Sequence, residues 1–378
     1  MRPADTIVVT GVGAVTPVGT TAIETAASLR AGICRFREEA IYVPLALARG
    51  GAGAPTDSDD DAGGGIVASA VVSLPPSSSG PARIAALALR AVQDLLRDRD
   101  RDRDETTGAI GDDAGRTGWF LALPDEDAVT ASWTLARSLG PALLDRLGPR
   151  SASIIATRAQ GGAGSLAVLA DAAAAIRRGS IARAVVVGVD SFIDRDRLAS
   201  LDRDLRIKSG RASAGMIPGE AATALLLESA AHAAQRGARV LAILAEVGEG
   251  TEPQPLTGER ESSGRGLTLA LRAALTGGAS HAPRWVLCNL NGEAYRAVEW
   301  GTVGVRLARE LGAGLRLWHP ADCLGEIGAA IGGVLIAQAI AGFARGYAPA
   351  PEALLWAGSD GGARAAVRVL APAARTEG

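Results

Sequence analysis

The sequence predicts an α/β fold built on a buried, largely parallel sheet. Two observations carry that reading. Short apolar runs of strand length alternate with longer helical patterns along most of the 378 residues, as in folds whose helices cover both faces of a sheet. A content of 48% hydrophobic and 21% charged residues is that of a globular chain, neither disordered nor fibrous.

Strands are predicted at IVVT (Ile7–Thr10), WFLAL (Trp119–Leu123), SIIA (Ser153–Ala156), AVVVG (Ala184–Gly188), ATALLLE (Ala222–Glu228), WVLCNL (Trp285–Leu290) and LLWA (Leu354–Ala357). Helices fill the gaps over Thr21–Leu29, Ala82–Leu96, Leu166–Arg178, Leu267–Leu275, Ala297–Leu311 and Ile327–Ala341. Two of them, after IIATRAQGGAGS (Ile154–Ser165) and after LGEIGAAIGG (Leu324–Gly333), are rich in Ala and Gly. Such helices pack at short distance, so the two are expected side by side in the middle of a layered domain. The stretches DSDDDAGGG (Asp57–Gly65) and RDRDRDRDE (Arg97–Glu105) are too polar to pack and read as surface excursions.

Composition limits the function classes. With 39 Lys+Arg against 41 Asp+Glu the formal charge is -2, which gives no electrostatic reason for a nucleic acid or an anionic membrane as partner. No run reaches the roughly 18 apolar residues of a membrane span, and the N-terminus lacks a signal-peptide core. Cys34, Cys288 and Cys323 are too few and too scattered for a disulfide framework or a zinc site. The expectation is a cytoplasmic protein with no metal and no cofactor.

The segment VVTGVGAVTPVG (Val8–Gly19) resembles the opening of β-ketoacyl synthases of the thiolase superfamily, whose first strand runs into a GxGxxTPxG turn. Thr16 and Pro17 stand where a dinucleotide fingerprint requires its third glycine. GMIPGEAATALLLES (Gly215–Ser229) is similar to the family's GxxxGEGA loop and strand, and GSDGGARAAVRVL (Gly358–Leu370) to its closing glycine hairpin. The resemblance implies a thiolase-like five-layered αβαβα fold of two related halves, divided here as residues 1–229 and 230–378. It also implies a homodimer, or a heterodimer with a ketosynthase-like sister subunit.

Family chemistry requires a Cys nucleophile at a helix N-terminus and two histidines. Counting back from Gly179 by the family's spacing puts the nucleophile position at Gly162, or at Gln160 if the loop has gained two residues. Neither forms an acyl-enzyme. The family's HGT segment aligns with WVLCNLNGEAYRAVEWG so that Asn291 replaces the first histidine, and HPADCLGEIGAAIGG places Asp322 at the second. The Phe of the GFGG gate becomes Asp360. Asn accepts and donates hydrogen bonds but does not shuttle a proton.

Residual chemistry is sought at His319, Cys323 and Glu326, in one turn before a helix whose N-terminus lowers a thiol pKa, and at Arg158, which is placed to help hold an anion at the elbow. The alternative is that Cys323 is a buried small residue and His319 a turn residue. Ser165 reads as an N-cap, and His232 and His281 as surface residues. The cluster NGEAYRAVEW (Asn291–Trp300) is a site rim or a scaffold that replaces catalytic residues.

Two functions follow. One is a catalytically degenerate, non-catalytic partner, resembling chain-length-factor subunits, whose AQGG-type motif carries Gln in place of Cys, or thiolase-like proteins found beside type VI secretion genes. Its partners would be an active ketosynthase, an acyl carrier protein, or a secretion effector or adaptor. The other is an acyl-transferring or hydrolytic enzyme that uses Cys323 or a bound water.

Overall fold

The computed structural model describes residues 5–39, 66–75, 77–101, 116–125, 139–143, 153–210, 212–276 and 282–373. The Asp57–Gly65 stretch and His281 lie outside the described residues, as does the end of the Arg97–Glu105 run.

Twelve strands appear among the described residues: β1 (Ile7–Val15), β2 (Arg37–Glu39), β3 (Ile66–Ala68), β4 (Thr117–Ala122), β5 (Ser153–Arg158), β6 (Arg183–Ser191), β7 (Glu220–Ser229), β8 (Ala242–Thr251), β9 (Trp285–Cys288), β10 (Arg316–Trp318), β11 (Glu352–Gly358) and β12 (Ala363–Leu370). The helices are α1 (Ala22–Arg30), α2 (Gly80–Arg101), α3 (Gly161–Arg177), α4 (Arg195–Arg203), α5 (Ala230–Gln235), α6 (Arg265–Leu275), α7 (Ala294–Arg306), α8 (Ala308–Leu311), α9 (Ala321–Leu324) and α10 (Ile331–Ala344).

Ten strands form one sheet in the order β10-β9-β11-β12-β8-β1-β7-β6-β4-β5, and β2 pairs with β3 separately. The order reads as two copies of one pattern. Strands β1, β4, β5, β6 and β7 stand as β5-β4-β6-β7-β1, and β8 to β12 stand as β10-β9-β11-β12-β8. In each half the third strand is the outer edge and the first strand meets its counterpart, β1 against β8, antiparallel. The expectation of a largely parallel sheet is corrected here. Parallel pairing is confined to the outer strands, β4 with β5 and β6, and β9 with β10 and β11, whereas β6, β7, β1, β8, β12 and β11 pair antiparallel in series.

Burial explains the layers. The stripe Ile84, Leu87, Ala88, Ala91, Val92 and Leu95 recurs at three- and four-residue spacing along α2 and packs on one outer face. Leu267, Ala270, Leu271 and Ala274 do the same for α6 on the other half. Between them, α3 and α10 are apolar on nearly all sides and share one core cluster with strands of both halves. Small residues set their approach: Gly332 N donates to Ser165 Oγ at 2.9 Å, and a Cβ at Gly332 would lie 2.6 Å from that oxygen. Ser165 is therefore a buried link between the central helices; the N-cap of α3 is Gln160.

Candidate functional site

The C-terminal ends of β5, β9 and β11 converge on the N-terminus of α3, and the loops there enclose a small polar pocket. After β5 the backbone turns through Gly161, at φ +48°, into the first turn of α3. A Cβ at Gly162 would lie 2.9 Å from Asn289 Nδ2 and 3.0 Å from Gly358 O. The space that a nucleophile's side chain needs is already filled. The helix N-terminus is also engaged: Ala163 N donates to Ser359 Oγ at 3.0 Å, and that hydroxyl in turn donates to Gln160 O. Gly161 N is likewise occupied, donating to Leu123 O at 3.1 Å.

Asn289, not Asn291, stands against the elbow. Its amide exchanges two hydrogen bonds with Gly358, 2.8 Å from Nδ2 to the carbonyl and 3.0 Å from Gly358 N to Oδ1. β9 ends at Cys288, so the first residue past the strand is Asn289. Asn291 instead donates to Glu326 Oε2 at 2.6 Å and Glu293 Oε2 at 2.9 Å.

Glu326 and Asp322 differ in the same way. Asp322 lies on the short α9 with its side chain 72% exposed, paired with His319 at 3.2 Å. Glu326 is buried and lines the pocket together with Gly162 and Gly358. Cys323 is buried too, and burial pushes its thiol pKa up, the reverse of the lowering expected from a helix N-terminus. Arg158 turns away from the pocket to Asp171, at 2.7 and 2.8 Å. Among the described residues no cluster of His, Cys, Asp and Glu is arranged to hold a metal ion.

A charged lattice crosses the pocket. Arg206 binds Glu293 at 2.7 Å and Asp360 at 2.8 Å; Arg296 binds Asp360 at 2.9 Å and donates to Gly358 O at 3.0 Å. A second pair, Arg197 with Asp190 at 2.5 Å, closes one side. Burial works against the Asp360 charge, but the guanidiniums of Arg206 and Arg296 prevail and hold its carboxyl below the usual range. For Arg206 and Arg296 burial likewise opposes the charge, and the carboxylates overcome it and raise both pKa values. Glu326 goes the other way: burial dominates the pull of Arg296 and the Gly328 N–H, so its pKa is raised. Arg206 and Asn289 carried no motif in the sequence. Arg206 is brought in by the turn after α4, and only the strand end identifies Asn289.

A raised carboxyl pKa means that the folded state binds the proton more tightly than the unfolded chain does. That contribution to stability is complete below the ordinary carboxyl range and disappears as pH rises through the folded pKa. The stability of Glu326→Gln relative to wild type is therefore expected to increase between about pH 4 and pH 8, whatever the constant cost of the altered hydrogen bonds. Urea denaturation across that range tests this, and a pH-independent difference between the two proteins contradicts it.

No protein-family model matches the chain, and no curated protein matches it. Solved structures do. The ishigamide ketosynthase/chain length factor superposes with a TM-score of 0.74 at 17% identity, over 97% of this chain and 99% of that one. A ketosynthase structure determined with a type II PKS acyl-carrier protein gives 0.73 at 16% identity, again over 97% and 99%. A β-ketoacyl synthase from Burkholderia phymatum STM815 gives 0.65 at 16% identity, over 97% and 99%. The likeness extends over whole chains, both halves included, and the protein has the thiolase-like fold of the ketosynthases.

Proposed function

We propose that the protein is a non-condensing ketosynthase-fold subunit, acting as the structural partner of a catalytically active ketosynthase-like chain in the manner of a chain length factor. The observation that carries this reading is Gly162, where even a Cβ would meet Asn289 and Gly358 at 3.0 Å or less. The neighbouring positions support it, since Asn289 and Glu326 supply no imidazole to the pocket. Acyl chains require an apolar channel. Here Arg206, Arg296, Glu293 and Asp360 cross that space as paired charges.

The assembly surface we assign is the outer edge of β5. This strand ends the ten-stranded sheet, alternates between exposed and half-buried residues, and leaves Ile155 44% exposed. An unprotected edge of this kind is a template for a second strand, and the corresponding β5 of a sister subunit is the occupant we propose. A sister subunit is favoured over a secretion effector because one structural neighbour is a ketosynthase/chain length factor. An acyl carrier protein is the further partner proposed, by analogy with the neighbour determined with its own.

Two measurements test the reading. Incubation with acetyl and malonyl thioesters is expected to leave the intact mass unchanged; an adduct that vanishes in Cys323→Ala overturns the non-catalytic reading in favour of acyl transfer. Light scattering coupled to size exclusion is expected to show a dimer, or a heterodimer on co-expression with a ketosynthase-like chain. Ile155→Asp is expected to yield a folded monomer, and an unaltered dimer removes β5 as the interface.

A further inference from the structure

A second recess, remote from the elbow, lies where the β9–β10 edge meets the end of α1 and the loop after α10. It measures about 500 Å³ and is lined by Arg30, Arg284, Arg316, Trp318 and Tyr347, with Gly314 and Pro349. Among the described residues no carboxylate lines it. This differs from the rest of the fold, where Arg83, Arg197, Arg206, Arg296 and Arg364 are all matched to acidic groups. The guanidiniums of Arg284 and Arg316 have no hydrogen-bond or ion-pair partner among the described residues, and the two are held together because Arg316 N donates to Arg284 O at 2.9 Å. Arg30 stands over the Tyr347 ring at 5.2 Å. Arg345 also acts on Tyr347 electrostatically, so the field at this recess is positive on several sides.

The aromatic wall is fixed from behind. Trp318 packs edge-on against the fully buried Trp285, centroids 4.9 Å apart, and lies at 25° to Tyr347, 6.4 Å away. A preorganised pair of nearly parallel rings offers flat apolar faces, and planar guanidinium forks match phosphate oxygens two at a time. The volume suits a ligand of nucleotide size.

We propose that this recess is a binding site for a nucleoside diphosphate, with the base on the Trp318 and Tyr347 faces and the phosphates on Arg284, Arg316 and Arg30. The site owes nothing to the elbow pocket and stands or falls separately from the partner-subunit reading. Titration calorimetry on the full chain with ADP, pyrophosphate and adenosine tests it. ADP is expected to bind at least about tenfold more tightly than either fragment, because only ADP engages both halves of the site. Arg316→Ala and Arg284→Ala, both at exposed positions that leave the fold intact, are expected to weaken ADP by about tenfold or more each. Trp318→Phe, which keeps a ring against Trp285, is expected to weaken ADP and leave pyrophosphate unchanged. The proposal is overturned if ADP produces no saturable heat at millimolar concentration. Equal affinity for ADP and pyrophosphate, or full ADP binding by Arg316→Ala, overturns it as well.

Discussion

Arg364→Leu is expected to lose about 3–5 kcal/mol of unfolding free energy, the largest effect of any single substitution considered for this chain. Arg364 on β12 and Glu299 on α7 are both fully buried, with Nε 2.9 Å from Oε1. Replacing the arginine strands a carboxylate inside the half formed by β8 to β12, with the Ser262 hydroxyl, at 2.8 Å, its one remaining hydrogen-bond donor among the described residues. The same guanidinium donates to Ser359 O and Ala363 O, and to Tyr295 Oη, so it also fixes the turn that carries Ser359 and Asp360 into the pocket. Removing both charges at once is a different experiment. Arg364→Leu/Glu299→Leu is expected to recover most of the loss, because the penalty comes from the uncompensated ion rather than from the absence of the pair. Equilibrium denaturation of the single and double variants measures this; a single variant within about 1 kcal/mol of wild type defeats the argument.

How much of this could be read from the sequence follows from where each signal lies. Six of the seven predicted strands lie on observed strands because each is an apolar run buried on both faces, and the seventh, Ser153–Ala156, falls on β5, whose residues are exposed or half-buried. β8 was missed for a physical reason. Its sequence AILAEVGEGT has one face partly exposed with Glu246 and Glu249, and its glycines are dictated by a neighbour: a Cβ at Gly248 would lie 2.0 Å from Ala270 O of α6. β10 is three residues long and stands only because β9 pairs with it. The site shows the same division. Gly162 lies in the pocket lining as a residue of one strand–turn–helix unit, whereas Asn289, Arg206 and Glu326 are brought to this region by three separate loops, which no single stretch of sequence displays. Spacing along a turn does not say which side chain it carries inward: Asn291 is held between Glu293 and Glu326, and Asp322 points outward to His319.

Gly162→Cys is expected to destabilise the protein by about 1–3 kcal/mol and still to form no acyl-enzyme. A thiol here must push apart Asn289 and Gly358, whose paired hydrogen bonds join β9 to β11, so the substitution strains the sheet ends that define the pocket. Nor does the new sulfur gain the setting that activates a nucleophile. The Gly161 and Ala163 N–H groups on either side are taken up by Leu123 O and Ser359 Oγ, and among the described residues no imidazole lines the pocket to accept the proton. Adding both bases, in Gly162→Cys/Asn289→His/Glu326→His, is expected to leave the protein inactive while Arg206, Arg296 and Asp360 remain, because their paired charges line the pocket and disfavour an apolar chain there. Intact mass after exposure to an acetyl thioester, and carbon dioxide release from a malonyl thioester, give the two readouts. A stoichiometric adduct on the single variant would show that the elbow is merely lacking its thiol. Its absence in the triple variant as well would trace the expected lack of condensation to the whole pocket and the ion lattice across it, not to the missing thiol alone.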